Sequence, residues 1–271
     1  MFRPANNFFH AALLVALAGC AHVPDIRSVP HKQAMTWESR GEKAYLAGSI
    51  EQSRRSYETA LQINTSIENA HGIASDMLSL AQINLDCSEY DQAETRLRFV
   101  LDDPSHLFAA ADKADAAARS ARLALLLKQP ERAAELVQQA ERLCRDADCS
   151  IAASILNLYA QAALALGRIE DSADMARRAG AIAGKSQQPV ELANSQRLQG
   201  EILLRSKSAN EAVPLLEQAL ALDKQLGLAR RIAEDLQWLA EAEDMQGRRE
   251  EAKSSRSRER AIRSALGDKG Q

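Results

Sequence analysis

Residues 191–227, ELANSQRLQGEILLRSKSANEAVPLLEQALALDKQLG, contain two apolar patterns of helical period that are separated by a short polar break. Leu198 and Ile202 lie four positions apart in the first pattern, as do Leu216 and Leu220 in the second. Residues with this spacing share one face of an α-helix and form a stripe that must be buried. The segment therefore predicts two antiparallel helices joined by a tight turn.

The same pattern recurs at intervals of 39 or 40 residues through the chain. A small residue, which we term the first marker, lies within each first helix, at Gly41, Ala81, Ala121, Ala160, Gly200 and Ala240. A second small residue, the second marker, follows twelve positions later, at Ser53, Ala93, Ala133, Ser172, Ala212 and Ala252. Because two helices approach closely only where neither is bulky, this recurrence predicts an all-α solenoid of about six helical hairpins.

The breaks between paired helices fall at matching places in the other repeats, for example at Gly48-Ser49 and Gly167-Arg168. From them we predict a solenoid over residues 34–271. Its repeats are expected at about 34–66, 67–104, 105–146, 147–185, 186–226 and 227–266.

The first repeat resembles the tetratricopeptide repeat in its longer form. The resemblance rests on Trp37, Arg40, Gly41, Gly48, Ser53, Tyr57 and Ala60. Two positions depart from the family pattern: Arg40 stands where leucine is usual, and Tyr45 is one place late, after Ala44. The resemblance covers about residues 34–266 and implies a right-handed superhelix that serves protein–protein interaction.

In tetratricopeptide proteins the first helix of each pair lines the concave wall, so the resemblance implies a partner-binding surface there. The residues expected on it are Glu38, Glu42, Tyr45, Leu78, Gln82, Arg122, Asn157, Gln161, Arg197, Glu201, Gln237 and Glu241. A strip of leucines at Leu85, Leu125, Leu164 and Leu204 is expected beside them. The alternative is that the polar residues are merely solvated and that the leucines pack between neighbouring hairpins.

The N-terminus has the pattern of a secretory signal. An apolar run at residues 8–18 is too short to span a membrane and ends in Leu17-Ala18-Gly19-Cys20, which resembles the bacterial lipobox. The resemblance implies removal of residues 1–19 and a lipid on Cys20, and residues 20–33 are expected to form a tether. By the family's sorting rule, Ala21 favours the outer membrane. An ordinary signal peptide with an accidental cysteine is the alternative.

Composition narrows the possible functions. The formal net charge is −3 and aromatic residues make up 4% of the chain, which argues against nucleic-acid binding. The five histidines and the cysteines show no metal-ligand spacing. Cys144 and Cys149 either form a disulfide in an oxidising compartment or remain two thiols, and Cys87 has no evident mate. No phosphate loop, nucleophile elbow or HExxH motif indicates an enzyme.

The sequence thus favours a periplasmic scaffold, anchored to the outer membrane, that docks another envelope protein or peptide segment. An assembly factor for a pilus or secretion system, for polysaccharide export or for a peptidoglycan enzyme complex is the expected role. No cofactor beyond the lipid and no small-molecule substrate is expected. The alternative is a carbohydrate- or polyanion-binding lipoprotein that acts through the basic C-terminal helix.

Overall fold

The computed structural model describes residues 28–145 and 149–266, and these form twelve α-helices and no strand. The inner helices, which open each hairpin, are α1 (Val29–Leu46), α3 (Ala70–Asp86), α5 (Ala110–Leu126), α7 (Ala152–Ala165), α9 (Pro189–Arg205) and α11 (Ala229–Met245). The outer helices are α2 (Ile50–Ser66), α4 (Tyr90–Leu101), α6 (Pro130–Arg145), α8 (Ile169–Lys185), α10 (Ala209–Leu226) and α12 (Arg249–Ala265). The structure confirms the predicted all-α solenoid of six hairpins.

The signal segment, Cys20 and the tether as far as residue 27 lie outside the described residues. Helix α1 begins at Val29, so the prediction that the tether extends to residue 33 was wrong. Pro30 lies in the first turn, where a helix does not need the missing N–H, and the Ser28 hydroxyl accepts a hydrogen bond from the His31 N–H at 3.4 Å. Proline here therefore starts a helix and does not extend a linker.

Within each hairpin the two markers face one another. In the repeats where the second marker is serine, its hydroxyl donates to the carbonyl of the first marker: Ser53 to Gly41 and Ser172 to Ala160, both at 2.8 Å. A Cβ atom added to Gly200 would lie 2.6 Å from the Leu216 side chain, so the helices touch at that point. The small markers thus set the close approach of α9 and α10, as the spacing predicts.

Every turn between an inner and an outer helix has a residue in the left-handed region seven positions after the first marker. These residues are Gly48, Ser88, Lys128, Gly167, Lys207 and Gly247. In each turn the residue after the left-handed one donates its N–H to the carbonyl five residues earlier. Ser208, for example, donates to the Leu203 carbonyl at 2.8 Å. The six hairpins are therefore closed by one type of turn, even where the residue is not glycine.

The inner helices from α3 to α11 contact one another in succession, in addition to their outer partners. Helices that crowd together on one side of a stack curve the stack toward that side, which places them on the concave wall. The curve brings the first turn of α11 back to the last turn of α3, where Arg230 Nη1 donates to the Asp86 carbonyl at 2.9 Å. The concave wall therefore encloses an internal space.

No helix among the described residues has the length and apolar content that crossing a membrane requires.

Candidate functional site

A cavity of about 340 Å³ lies inside the superhelix, and residues from the five inner helices α3 to α11 line it. Its charged residues are Asp115, Arg119, Arg122, Glu191 and Arg231. Its amide side chains are those of Gln82, Asn157, Gln161, Gln188 and Asn194. The remaining lining is Ser150, Ser154, Ala118, Ile151 and Leu158, so the cavity is mainly polar.

A single stripe on each inner helix supplies most of this lining. Relative to the first marker, the stripe comprises the positions nine, six and three residues before it and the one directly after it. In α9 the first two of these are Glu191 and Asn194, and in α11 the first is Arg231. Because these positions recur at helical spacing, the solenoid turns the same face of each inner helix from α3 to α11 into the cavity.

Arg119 is held by Asp115 one turn earlier on α5. Its Nε lies 2.9 Å from Asp115 Oδ1 and its Nη2 lies 3.2 Å from Asp115 Oδ2, a two-point ion pair. Burial by itself would lower the pKa of the Arg119 guanidinium, but the Asp115 carboxylate raises it above its ordinary value. Arg119 is thus a compensated cation, and Nη1 also reaches Gln82 Oε1 at 3.3 Å.

Arg122 is less well compensated. It donates to Gln82 Oε1 at 3.1 Å and reaches Asp86 Oδ1 at 3.5 Å, but Asp86 also accepts from the Tyr45 hydroxyl and from Gln82 Nε2. Burial and the nearby Arg231 guanidinium lower the pKa of Arg122 in spite of Asp86. The same network raises the pKa of Tyr45, because that phenol is buried beside the Asp86 carboxylate.

Asn157 on α7 crosses to the start of α9. Its Nδ2 donates to the Glu191 carbonyl at 3.0 Å and to Glu191 Oε2 at 2.8 Å, and Asn194 also donates to this carboxylate at 3.3 Å. The other amide atom, Asn157 Oδ1, is buried and has no hydrogen-bond partner among the described residues. A buried acceptor without a donor costs free energy, so the contacts of Asn157 with Glu191 are made at some cost in stability.

The structure brings four of the predicted wall residues together in the cavity: Gln82, Arg122, Asn157 and Gln161. Tyr45 does not line the cavity, but its hydroxyl donates to Asp86, which Arg122 also contacts. The remaining predicted residues do not line this cavity, and they fall into a buried group and a solvated group.

Arg197 belongs to the buried group, so its assignment to the partner-binding wall was wrong. Its side chain lies between α9, α10 and α11 and is 6% exposed. It forms ion pairs with Asp223 and, at 2.6 Å, with Asp235. The position three residues before a marker sits at the edge of the inner face, and the two carboxylates draw this long side chain inward.

Leu78 was also predicted on the wall, and it is buried in the core around α3 and α4 instead. Glu38 lies at the same repeat position as Leu78 and accepts a hydrogen bond from Asn64. The expected leucine strip is likewise core, since Leu85, Leu164 and Leu204 are at most 4% exposed. These leucines pack between hairpins, the alternative that the sequence left open.

The solvated group comprises Glu42, Gln237 and Glu241, and Glu201, whose side chain is 17% exposed, lies at its edge. Glu201 pairs with Arg205 on its own helix at 2.7 Å, and Gln237 accepts from Arg263 at 3.2 Å. Glu42 and Glu241 are exposed. Such surface contacts contribute little stability and mark no binding site by themselves.

Sequence reasoning missed Asp115, Arg119, Glu191 and Arg231. The wall positions were extrapolated only from the middle of each inner helix, whereas the cavity is lined as far as the first turn of α9 and α11. Extending the same stripe two steps toward each helix start finds Glu191, Asn194 and Arg231. Arg119 lies one position off the stripe, and no signal in the repeat pattern indicates it.

Cys144 and Cys149 are joined by a disulfide, with their Cα atoms 5.2 Å apart. The bond links the end of α6 to the segment before α7. Cys87 is a free, exposed thiol. The described residues contain no group of three or more His, Cys, Asp or Glu side chains placed to hold a metal ion.

No family model and no curated protein matches the chain by sequence. Solved structures do match. A Rap protein complexed with competence and sporulation factor superposes with a TM-score of 0.71 at 16% identity, covering 89% of this chain and 66% of that one. The apo form of RapI gives 0.68 at 15% identity, covering 91% and 88%.

A signal-transduction ATPase from Pyrococcus horikoshii with a tetratricopeptide repeat sensor gives 0.61 at 14% identity, covering 88% of this chain and 36% of that one. At these identities the likeness concerns the fold alone. The chain therefore has a tetratricopeptide-type solenoid fold.

Proposed function

We propose that this protein is a scaffold that binds a peptide segment of another protein in the cavity of its superhelix. The observation that supports this most directly is the cavity itself, which receives amide and charged side chains from five successive inner helices. Amide side chains can both donate to and accept from a peptide backbone, and a concave wall of helices presents them along a line.

The fold comparison is consistent with a bound partner. The Rap protein with the highest similarity score quoted above was solved in complex with competence and sporulation factor. A solenoid of this type can therefore hold a separate factor. The cavity volume of about 340 Å³ lies at the lower end of the range for ligand pockets, which suits a short segment of an extended chain.

We further propose that the scaffold is held at the outer membrane, facing the periplasm, by a lipid on Cys20. The lipobox-like Leu17-Ala18-Gly19-Cys20 supports the lipid, and Ala21 supports outer-membrane sorting. The Cys144–Cys149 disulfide supports an oxidising compartment, because such bonds persist outside the reducing cytosol. The partner is then an envelope protein, and an assembly role in an envelope machine follows.

The cavity is tested by crosslinking pull-down from cell envelopes. The Gln82→Ala/Gln161→Ala variant removes two lining amides, and Gln138→Ala/Gln225→Ala removes two exposed amides from the outer helices α6 and α10 as a matched control. We expect one defined partner to be lost with the first variant and retained with the second. An identical set of captured proteins from all three forms would contradict cavity binding.

The anchor is tested separately, with Cys20→Ser. We expect wild type to take up labelled fatty acid and to fractionate with the outer membrane, and the variant to do neither. Labelling that persists in the variant would refute the assigned lipid site, while leaving the cavity proposal intact.

A second candidate is polyanion binding by α12. Arg249, Lys253 and Arg258 are exposed on this helix and have no carboxylate partner among the described residues. Three other arginines, Arg248, Arg256 and Arg263, are already paired with acids. Polyanion binding should weaken steeply with salt and disappear in Arg249→Gln/Arg258→Gln, whereas cavity binding should survive that variant.

A further inference from the structure

We propose that the bound segment is acidic, and that one of its carboxylates lies between Arg122 and Arg231 in the cavity. This inference rests on the proposed function and specifies the chemistry of the ligand. It follows from how the charges of the lining are arranged, from the hydrogen-bond donors left over, and from the amides around them.

The three arginines of the lining are compensated unequally. Arg119 is engaged by Asp115 in the two-point ion pair. Arg122 and Arg231 have only long ion pairs with acids outside the lining, at 3.5 Å to Asp86 and at 3.4 Å to Glu234. Both acids are shared, Asp86 with Tyr45 and Glu234 with Arg197, so Arg122 and Arg231 are held less tightly than Arg119.

The same two arginines have spare donors. A guanidinium has five N–H groups. Among the described residues, Arg122 bonds only to Gln82 and, at 3.5 Å, to Asp86. Arg231 bonds only to Glu234, one turn along its own helix, at 3.4 Å. Most of their N–H groups thus remain for solvent or a ligand.

The two guanidiniums come from distant repeats and line the same cavity. Arg122 is on α5 and Arg231 is in the first turn of α11, which the curvature of the superhelix brings across the cavity. Arg231 contributes to the lowered pKa of Arg122, which requires the two charges to be close. An anion placed between them would relieve this repulsion and form charge-assisted hydrogen bonds to both.

The surrounding amides favour a carboxylate that belongs to a peptide. A lone inorganic anion would need only the two arginines, but Gln82, Asn157, Gln161, Gln188 and Asn194 also line the cavity. Acceptors and donors together match a peptide backbone with an acidic side chain or C-terminus.

The test begins with the purified full chain and a random octapeptide library. The highest-affinity peptide is resynthesised with each Asp or Glu replaced by Asn or Gln, and with its C-terminus amidated. Affinity is measured by fluorescence anisotropy. We expect selected peptides to be enriched in acidic groups, and neutralising one such group to weaken binding at least tenfold.

Variants of the chain locate the carboxylate. Arg122→Gln/Arg231→Gln should bind the acidic peptide at least tenfold more weakly and should no longer distinguish it from its neutral form. Arg249→Gln/Arg258→Gln removes the same charge from α12 and should bind as wild type does. Arg122→Lys/Arg231→Lys keeps the charge and should retain part of the preference for acid, and circular dichroism verifies that each variant folds.

The outcomes separate this inference from the proposed function. Peptide binding that does not depend on charge, but is lost in Gln82→Ala/Gln161→Ala, would overturn the carboxylate subsite. The scaffold proposal would still stand. A chain that selects no peptide and captures no envelope protein would overturn both. If inorganic phosphate binds and is lost in Arg122→Gln/Arg231→Gln, while no peptide binds, the peptide proposal is overturned. The cavity would then be assigned to a small anion.

Discussion

Repeats 1 and 5 place buried polar clusters at the same three repeat positions and use different chemistry in each. The positions lie three residues before the first marker, 23 residues after it, and five residues before the next marker. They are occupied by Glu38, Asn64 and Asp76 at the first junction and by Arg197, Asp223 and Asp235 at the second. The repeat therefore fixes which side chains meet, and the individual residues decide the charge.

The first junction has no cation. Asn64 Nδ2 donates to Glu38 Oε1 at 2.9 Å and to Asp76 Oδ2 at 2.8 Å. Asp76 is fully buried, and its Oδ1 has no partner among the described residues. Burial, with a contribution from Glu38, raises the pKa of Asp76 to about 7, although the Asn64 hydrogen bond opposes this. This junction is most stable when Asp76 is protonated.

The second junction places a guanidinium between two carboxyl groups. Burial raises the pKa of both Asp223 and Asp235, and the Arg197 charge opposes it in each case. A hydrogen bond between the two carboxyl groups further raises the pKa of Asp235. Comparison of the two junctions teaches that one geometry holds its buried acid with an amide at the first junction and with a guanidinium at the second.

Removing the counter-ion should have the largest effect. Arg197→Met leaves two buried carboxyl groups without a cation and should lower the free energy of unfolding by about 3–5 kcal/mol. Urea denaturation followed by circular dichroism measures it. The control is Arg205→Met on the same helix, whose side chain is about half exposed and pairs with Glu201, and its cost should stay below about 1 kcal/mol. Equal costs for both would contradict a buried network.

The pH dependence of stability tests the protonation of Asp76 at the first junction. The pKa of Asp76 is about 7 in the folded protein and has its ordinary value of 3.8 in the unfolded chain, so folding takes up a proton between these values. Stability should fall as pH rises from about 4 to about 7, by on the order of 2–4 kcal/mol from this residue.

In Asp76→Asn that part of the slope should vanish, and exposed Asp102→Asn should leave it unchanged. The measurement is the free energy of unfolding at a series of pH values. A slope that persists in Asp76→Asn would assign the effect to other groups, Asp235 first among them.

Alanine substitutions at the first markers of the two repeats should also differ in their effect on stability. A methyl group on Gly200 would lie 2.6 Å from Leu216, which is fully buried, whereas one on Gly41 would lie 2.9 Å from the half-buried Tyr57 ring. Gly200→Ala should destabilise by about 1 kcal/mol after the gain in helix propensity, because the core side chain must move. Gly41→Ala should be near neutral, since the Tyr57 ring can shift. Chemical denaturation of the two variants measures the difference in their free energies of unfolding.

The smallest expected difference concerns the turns. Lys207 in repeat 5 has φ 62° and Gly48 in repeat 1 has φ 75°, so the same left-handed turn position has a lysine in one and a glycine in the other. Lys207→Gly should raise stability by about 0.5–1 kcal/mol, and Gly48→Ala should lower it by a similar amount. Melting temperatures that move in the same direction for both would contradict this explanation.

Much of the fold could be predicted because every hairpin repeats the same physical requirement. Small markers such as Gly200 and Ala212 must face each other, and the breaks must fall after them, so twelve helices follow from one alignment. The cavity could be predicted only in part. Gln82, Arg122, Asn157 and Gln161 follow from the stripe, but whether a long side chain points inward depends on partners that the repeat does not specify.

Arg197 and Arg122 illustrate that limit. Arg197 has two aspartates from α10 and α11 within reach and turns into the core. Arg122 has only a shared carboxylate and stays in the cavity. The contact of Arg230 with Asp86 depends on the accumulated curvature of four hairpins, which no local pattern contains.

The contact between Arg230 and Asp86 joins two repeats that are not neighbours in the array. In a linear array each repeat senses only its neighbours, but the bond from Arg230 to Asp86 joins residues 144 positions apart and closes the array into a ring. One such bond contributes about 1 kcal/mol, less than twice the thermal energy at room temperature. So weak a bond cannot hold the two repeats together by itself, and the packing between successive hairpins must keep them close.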